Sequence, residues 1–117
     1  MAIARDGYSL IAAAGILAII SIAVAIFYTH SVSVSAAAVC AVLFLWTVYF
    51  FRDPDRQIPQ EAGVIVAPAD GVVMDVRRVF EDEYLHENAI EVSIFLSIFD
   101  VHINRIPEAG KVEYYRY

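Results

Sequence analysis

One short segment in the second half of the chain combines residue types that move protons and bind anions. At spacings i, i+2, i+4 and i+5 it contains Asp100, His102, Asn104 and Arg105. In an extended strand, the first three of these side chains project from one face. His102 is a candidate general acid or base, because an imidazole with a pKa of about 6.5 exchanges protons near neutral pH. Histidine is also common as a buried structural residue, so the pattern alone leaves both interpretations open.

A second candidate is Asp70, in the sequence Pro68-Ala69-Asp70-Gly71. Proline and glycine on either side of a carboxylate predict a tight turn, here between two apolar runs. The side chain of an aspartate in such a turn usually accepts hydrogen bonds from nearby backbone N–H groups. The motif by itself is therefore a weak indication of chemistry.

Several other classes of site and partner are not predicted. His86 and His102 lie far apart, Cys40 lies in an apolar run, and no His-x-His spacing occurs, so no metal site is expected. Glycine-rich phosphate loops and nucleophile-elbow motifs are absent. The net charge of -6 and the lack of a lysine or arginine cluster exclude nucleic acid as a partner.

Two long apolar segments precede these candidate residues. Hydrophobic residues make up 60% of the chain, above the roughly 45–50% of a typical soluble domain. Residues 8–28 and 34–51 contain no charged side chain, and a helix of about 20 residues spans a hydrocarbon core about 30 Å thick. The sequence therefore predicts a membrane anchor over residues 1–51, with two transmembrane helices joined by a short polar loop.

The arginines indicate how this anchor is oriented. They lie outside the helical hairpin, at Arg5, Arg52 and Arg56, and the connecting loop has none. By the positive-inside rule, both termini and everything after the second helix face the cytoplasmic side of a cell membrane.

The chain changes character after residue 51. Residues 52–63 contain two prolines, one glycine and five charged residues, which predict an irregular juxtamembrane linker. Residues 64–117 predict a small, mainly antiparallel β domain, a sandwich or partial barrel, because β-branched and aromatic runs alternate with turn residues. The fold class is thus α + β. Strands are expected at residues 64–66, 71–76, 90–96 and 111–115.

Three motifs, in this order and behind an apolar hairpin, resemble the short, membrane-anchored branch of the phosphatidylserine decarboxylases. They are FFRDPDR at residues 50–56, APADG at 67–71 and LSIFDVHINRIP at 96–107. The resemblance covers nearly the whole chain. It implies a lyase of phospholipid biosynthesis that converts phosphatidylserine to phosphatidylethanolamine and CO2, with a domain similar to a barrel-sandwich hybrid.

The resemblance also implies a cofactor and residue roles. Enzymes of this family use a covalent pyruvoyl group as electron sink, formed when the precursor cuts itself before a serine. The family's aspartate and histidine fall on Asp70 and His102, with His102 transferring protons in self-cleavage or decarboxylation and Asp70 orienting the imidazole. Asn104 and Arg105 are candidates for substrate binding. Longer members have a second histidine at the position of Arg105, and Ile98 replaces a common proline.

The serine that would become the pyruvoyl group is not evident. After the second helix the only serines are Ser93 and Ser97, and neither follows a glycine. We therefore expect that serine on a C-terminal small subunit outside this sequence, and expect this chain alone to be an incomplete, inactive part of the domain. The expected partners are that subunit and a membrane phospholipid. Three points remain open: whether the chain is a fragment, a natural truncation or one part of an assembly, whether it forms a homo-oligomer, and whether archaetidylserine is the substrate.

Two other functions are weighed against this one. Residues 67–73 also resemble the strand–turn–strand of biotinyl and lipoyl domains or of membrane-fusion proteins, which would make the chain a membrane-anchored binding module without catalysis. A covalent carrier needs an exposed lysine on a hairpin, and Lys111, the one lysine, lies beside Gly110 without flanking methionines. The remaining alternative is a structural membrane protein without activity.

Overall fold

The computed structural model describes residues 2–59, 61 and 63–116. The chain divides into two compact units, Met1–Arg56 and Gln57–Tyr117. The first unit is built on two apolar helices and the second on an antiparallel β-hairpin. This α + β organisation confirms the predicted fold class at that level.

The first unit contains a helical hairpin. Helix α1 spans Tyr8–Phe27 and helix α2 spans Ser31–Phe50, and both are long and apolar enough to cross a membrane. Helix α2 begins earlier than the predicted Val34, because His30 caps it: the His30 ring accepts a hydrogen bond from the Val32 amide (3.4 Å).

Small residues allow the two helices to pack closely. Ala18 and Ala37 are the buried residues of α1 and α2, respectively. A Cβ atom on Gly15 would lie 3.2 Å from the ring of Phe44, so this glycine also lets the neighbouring helix approach. Most of the large apolar side chains of both helices are exposed.

A short ladder ties the two ends of the helical hairpin together. Strand β1 (Ala2–Ile3) pairs antiparallel with strand β2 (Arg52–Asp53), and the Ala4 amide donates to the Phe51 carbonyl (2.9 Å). Strand β2 lies inside the segment predicted to be irregular. Both ends of the hairpin therefore lie at the same end of the helix pair, as a short connection between antiparallel helices requires.

The second unit is organised by a β-hairpin. Strand β3 (Val72–Glu81) pairs antiparallel with strand β4 (Glu87–Phe95), from Val72 opposite Phe95 to Glu81 opposite Glu87. The register shifts by one residue between Val73 and Asp75, so Met74 is the extra residue of a β-bulge. Both strands extend farther toward the turn than the sequence predicted.

The side chain of Glu81 closes the hairpin turn. Its carboxylate accepts hydrogen bonds from the amides of Leu85, Glu83 and Tyr84. These donors favour the charged form, and they lower the pKa of Glu81 below its usual value. His86 completes the turn in a left-handed conformation (φ +52°).

The strand predicted at residues 64–66 is absent, and prolines explain why. The Val66 amide donates to the Pro107 carbonyl (3.3 Å), and the Arg105 amide donates to the Pro68 carbonyl (2.8 Å). These are two bonds of an antiparallel ladder. The reciprocal bonds would need N–H groups on Pro107 and Pro68, which proline lacks, so the paired segments stay irregular.

The strand predicted at residues 111–115 is wrong as well. The backbone there is irregular, and side chains hold it against the hairpin turn. The Tyr84 hydroxyl donates to the Glu113 carboxylate (2.9 Å), the rings of Tyr84 and Tyr114 stack (5.1 Å between centroids), and Arg116 pairs with Glu83. These aromatic residues therefore contribute through side-chain packing and not through a β ladder.

Candidate functional site

A closed turn leads into the candidate segment. The Ser97 amide donates to the Asp100 carboxylate (2.8 Å), and the Asp100 amide donates to the Ser97 carbonyl (2.9 Å). The Asp100 side chain therefore has a structural role, because it satisfies a backbone donor at the end of β4.

The chain after this turn is extended without being part of a sheet. Exposure alternates along it: Val101 is only 3% exposed, His102 and Asn104 are exposed, and Ile103 and Arg105 are half-buried. This period of two places His102 and Asn104 on one open face and Arg105 on the other. The structure thus brings together two of the three residues that the spacing predicted to share a face.

One hydrogen bond sets the orientation of the His102 ring. Its Nδ1 lies 3.1 Å from the carbonyl oxygen of Asp100. A carbonyl oxygen only accepts, so Nδ1 carries the hydrogen of this bond. In the neutral ring, Nε2 is then the basic nitrogen, which is the arrangement that a proton acceptor requires.

Asp70 lies on the segment that runs beside this one. The 2.8 Å bond from the Arg105 amide to the Pro68 carbonyl joins the two segments close to both candidate residues. Asp70 is half-buried, in a bend that covers residues 68–71. The structure therefore places Asp70 and His102 on adjacent segments of one unit.

Gly71 makes this bend possible. It has a φ of +137°, and a Cβ atom there would collide with the carbonyl oxygen of Phe95 at the end of β4. Only glycine combines that backbone conformation with so close an approach. The Asp-Gly pair was the sequence signal for a turn, but the contact with Phe95 could not be read from it.

Among the described residues, neither a metal site nor the apolar groove of the helical unit adds acid–base groups to the candidate segments. Within residues 2–59, 61 and 63–116, no three His, Cys, Asp or Glu side chains are arranged to hold a metal ion. A groove of about 540 Å³ lies in the helical unit, and its lining has no titratable side chain. The groove is lined by Leu10, Ala13, Ala14, Leu17, Trp46, Thr47, Phe50 and Phe51.

Comparison with known proteins identifies the family. The family model described as phosphatidylserine decarboxylase matches residues 43–117. The chain is 47% identical to the phosphatidylserine decarboxylase proenzyme of Symbiobacterium thermophilum, over 98% of this chain and 50% of the relative. It is 57% identical to the proenzyme of Carboxydothermus hydrogenoformans, over 64% of this chain and 35% of that relative. This chain belongs to the phosphatidylserine decarboxylase family.

The match includes every candidate site residue of the phosphatidylserine decarboxylase resemblance, since Asp70, His102, Asn104 and Arg105 all lie within residues 43–117. A third relative, the proenzyme of Chlorobium chlorochromatii, is 42% identical over 95% of this chain and 52% of its own length. The chain therefore spans about half the length of the curated decarboxylase relatives it matches, or less. No solved structure matches the chain.

The two serines after α2 do not show the glycine–serine sequence that the resemblance implies for a self-cleavage site. Ser93 lies inside β4, opposite Asp75, and follows Val92. Ser97 follows Leu96, and its amide is bound by Asp100.

Proposed function

We propose that this chain is the N-terminal, proton-transferring part of a membrane-anchored phosphatidylserine decarboxylase. The enzyme converts phosphatidylserine to phosphatidylethanolamine and CO2. The observation that carries the proposal is the 47% identity to a proenzyme of that name over 98% of this chain. The adjacent Asp70 and His102 segments support it.

The pyruvoyl group belongs to a C-terminal small subunit in this proposal. The relatives are named proenzymes, which fits a precursor that cuts itself and yields two subunits. When present, the group supplies the electron sink that decarboxylation needs. The residues of this chain bind, orient and exchange protons around it.

His102 is the proton-transferring residue. The Asp100 carbonyl fixes Nδ1–H at 3.1 Å, so Nε2 accepts a proton from the attacking serine hydroxyl in self-cleavage, or returns one to the substrate carbon. Asp70, on the adjacent segment, stabilises the imidazolium that forms through its negative charge, because the Asp100 carbonyl already accepts the Nδ1–H bond. Asn104, on the same open face as His102, and Arg105 bind the polar headgroup, because amide and guanidinium donors match carboxylate and phosphate oxygens.

The helical unit is the membrane anchor, with both ends on the cytoplasmic side. Its support is the β1–β2 ladder, which holds the two arginine-bearing ends together, and the arginine-free connection between the helices. Arg52 lies over the Tyr49 ring, 3.8 Å from its centroid, and donates to the Tyr49 carbonyl (2.9 Å). Aromatic and basic residues together are typical of a membrane–water interface.

A hybrid protein tests the proposal. The full chain is joined to the part of the S. thermophilum relative outside the match, which we infer to be its C-terminal half, and is reconstituted in phosphatidylserine vesicles. We expect self-cleavage and production of phosphatidylethanolamine. The His102→Ala change is expected to slow at least one of the two by a factor of about 10² to 10⁴. Vesicles of ether-linked archaetidylserine test whether the hybrid also accepts that lipid as a substrate.

The matched control is His86→Asn. His86 is the exposed histidine of the hairpin turn, with a φ of +52°, and asparagine tolerates that conformation. This variant is expected to behave like the unsubstituted hybrid. A His102→Ala hybrid that still self-cleaves and decarboxylates at full rate would refute the role of His102. An unsubstituted hybrid without either activity would favour a non-catalytic module.

A further inference from the structure

The β3–β4 hairpin has two chemically different faces. Residues opposite one another in the ladder share a face, and successive residues along a strand lie on opposite faces. One face is charged: Arg77 lies 2.6 Å from Glu91 and 3.7 Å from Asp75. On the other, which we call the apolar face, Val76 is opposite Val92. The apolar face is defined by Val76, Phe80, Ile90 and Val92, and it also carries Arg78 opposite Ile90 and Asn88 opposite Phe80.

The apolar face is uncovered. Its four side chains are 51–67% exposed. An amphipathic sheet of this kind buries its apolar side against a second layer, and an isolated two-stranded hairpin is marginal in water. Among the described residues of this unit, no strand or helix supplies that layer, because β3 and β4 are its only regular elements. The apolar face is therefore available to a further polypeptide layer.

We propose that the apolar face receives the C-terminal half of the decarboxylase fold, the part that the relatives possess and this chain does not span. This inference rests on the proposed function. The chain matches only 50% of the S. thermophilum relative, so about as much polypeptide again is available as a covering layer. Residues 113–116 of this unit do not compete for the apolar face, because Glu113 and Arg116 bind Tyr84 and Glu83 of the hairpin turn.

The charges near the face argue against a membrane as its occupant. A surface that lies on anionic lipid is usually bordered by lysines and arginines. Here Arg78 lies within the face, opposite Ile90, and the pair of this face nearest the turn is Phe80 and Asn88, so no lysine or arginine borders the face at that end. A concavity of about 410 Å³ at Arg78, Asn88 and Ile90 also gives the surface relief, which suits a protein partner better than a smooth bilayer.

Cysteine labelling of two adjacent positions tests the proposal. In a Cys40→Ser background, the hybrid carries either Val76→Cys on the apolar face or Arg77→Cys on the charged face. Val76 is 60% exposed and the Arg77 side chain 59%, so the full chain without the added half should react at both with similar rates. In the hybrid, a water-soluble maleimide should react with Val76→Cys at least about tenfold more slowly and with Arg77→Cys at an unchanged rate.

A second pair on β4, Ile90→Cys and Glu91→Cys, guards against a local folding defect and should behave in the same way. Equal labelling of both faces in the hybrid would overturn the proposal. Protection of Val76→Cys in the chain without the added half would also overturn it. Protection that rises with protein concentration would indicate a second copy as the occupant, and protection that appears only with vesicles would indicate lipid. Self-cleavage is measured on the same samples, so an inactive hybrid with a protected apolar face refutes the proposed function and supports this interface.

Discussion

The two units expose apolar side chains in different patterns. In the helical unit the exposed side chains surround the helices, and no charged residue occurs within Tyr8–Phe27 or Ser31–Phe50. In the hairpin, Val76, Phe80, Ile90 and Val92 share one face with Arg78 and Asn88, and the other face carries Arg77, Glu91 and Asp75. Exposure on all sides matches a lipid solvent, whereas exposure on one side matches a protein layer. The pattern of exposure, rather than its amount, distinguishes an anchor from a docking surface.

The largest effect is expected from a charge in the middle of the anchor. Ile19 is 69% exposed near the centre of α1, and an arginine at the centre of a transmembrane helix costs about 2.5–3.5 kcal/mol on insertion scales. Ile19→Arg should therefore reduce the fraction of the chain that resists alkaline extraction from membranes. The matched control is Val76→Arg, at a similarly exposed residue of the hairpin. If both variants lowered membrane integration equally, the contrast between the two units would fail.

The next effect concerns the apolar face. A lysine in place of Val92 puts a charge where the covering layer should pack, at an expected cost of about 2 kcal/mol or more. Val92→Lys should therefore lower recovery of the C-terminal half when the two halves are co-expressed and co-purified. Ser93→Lys, on the charged face opposite Asp75, should leave recovery unchanged. If only the Ser93→Lys variant lost association, the interface would lie on the charged face, contrary to the proposal.

A smaller effect is expected where the Asp70 bend meets the hairpin. Alanine at Gly71 must adopt a φ of +137° and avoid the Phe95 carbonyl oxygen, which should cost about 1–3 kcal/mol. Hydrogen exchange of the β3 and β4 amides in the hybrid should accelerate accordingly. Gly110→Ala is the control, because a Cβ atom there meets nothing within 4 Å. Equal exchange rates in the two variants would mean that the close approach is not stabilising.

The sequence predicted the helical unit better than the hairpin. Uninterrupted apolar runs fix the helices within a few residues, because backbone hydrogen bonds in a helix are local. The β1–β2 ladder was missed, since two residues on each strand carry no periodic signal and their pairing is long-range. The strand predicted at 64–66 failed because Pro68 and Pro107 remove ladder donors, an effect visible only once the two segments are known to be neighbours.

The sequence also predicted only part of the candidate site. An alternation of two placed His102 and Asn104 on one face, and the exposure pattern agrees. Asp100 was grouped with them, but its carboxylate turns back to Ser97. Local turn chemistry thus competed with strand periodicity. The roles of Asp70, His102, Asn104 and Arg105 remain predictions, because spacing indicates which groups can meet and not which proton they transfer.

The smallest expected effect is a difference between the two units in their response to pH. The amides of Leu85, Glu83 and Tyr84 lower the pKa of Glu81, so its stabilising contribution is complete above the unfolded pKa of about 4.3 and is lost as pH falls through the lower folded value. As the pH falls below about 4.3, the Leu85 amide should therefore show a titration in its NMR shift. Glu81→Gln should abolish it, whereas Glu87→Gln, across the same ladder position, should retain it. The spans of the helical unit contain no carboxylate, so their amides should not titrate in this range. A Leu85 titration that survived Glu81→Gln would show that another acidic group binds the turn amides. The closure of the β3–β4 turn could then not be attributed to Glu81.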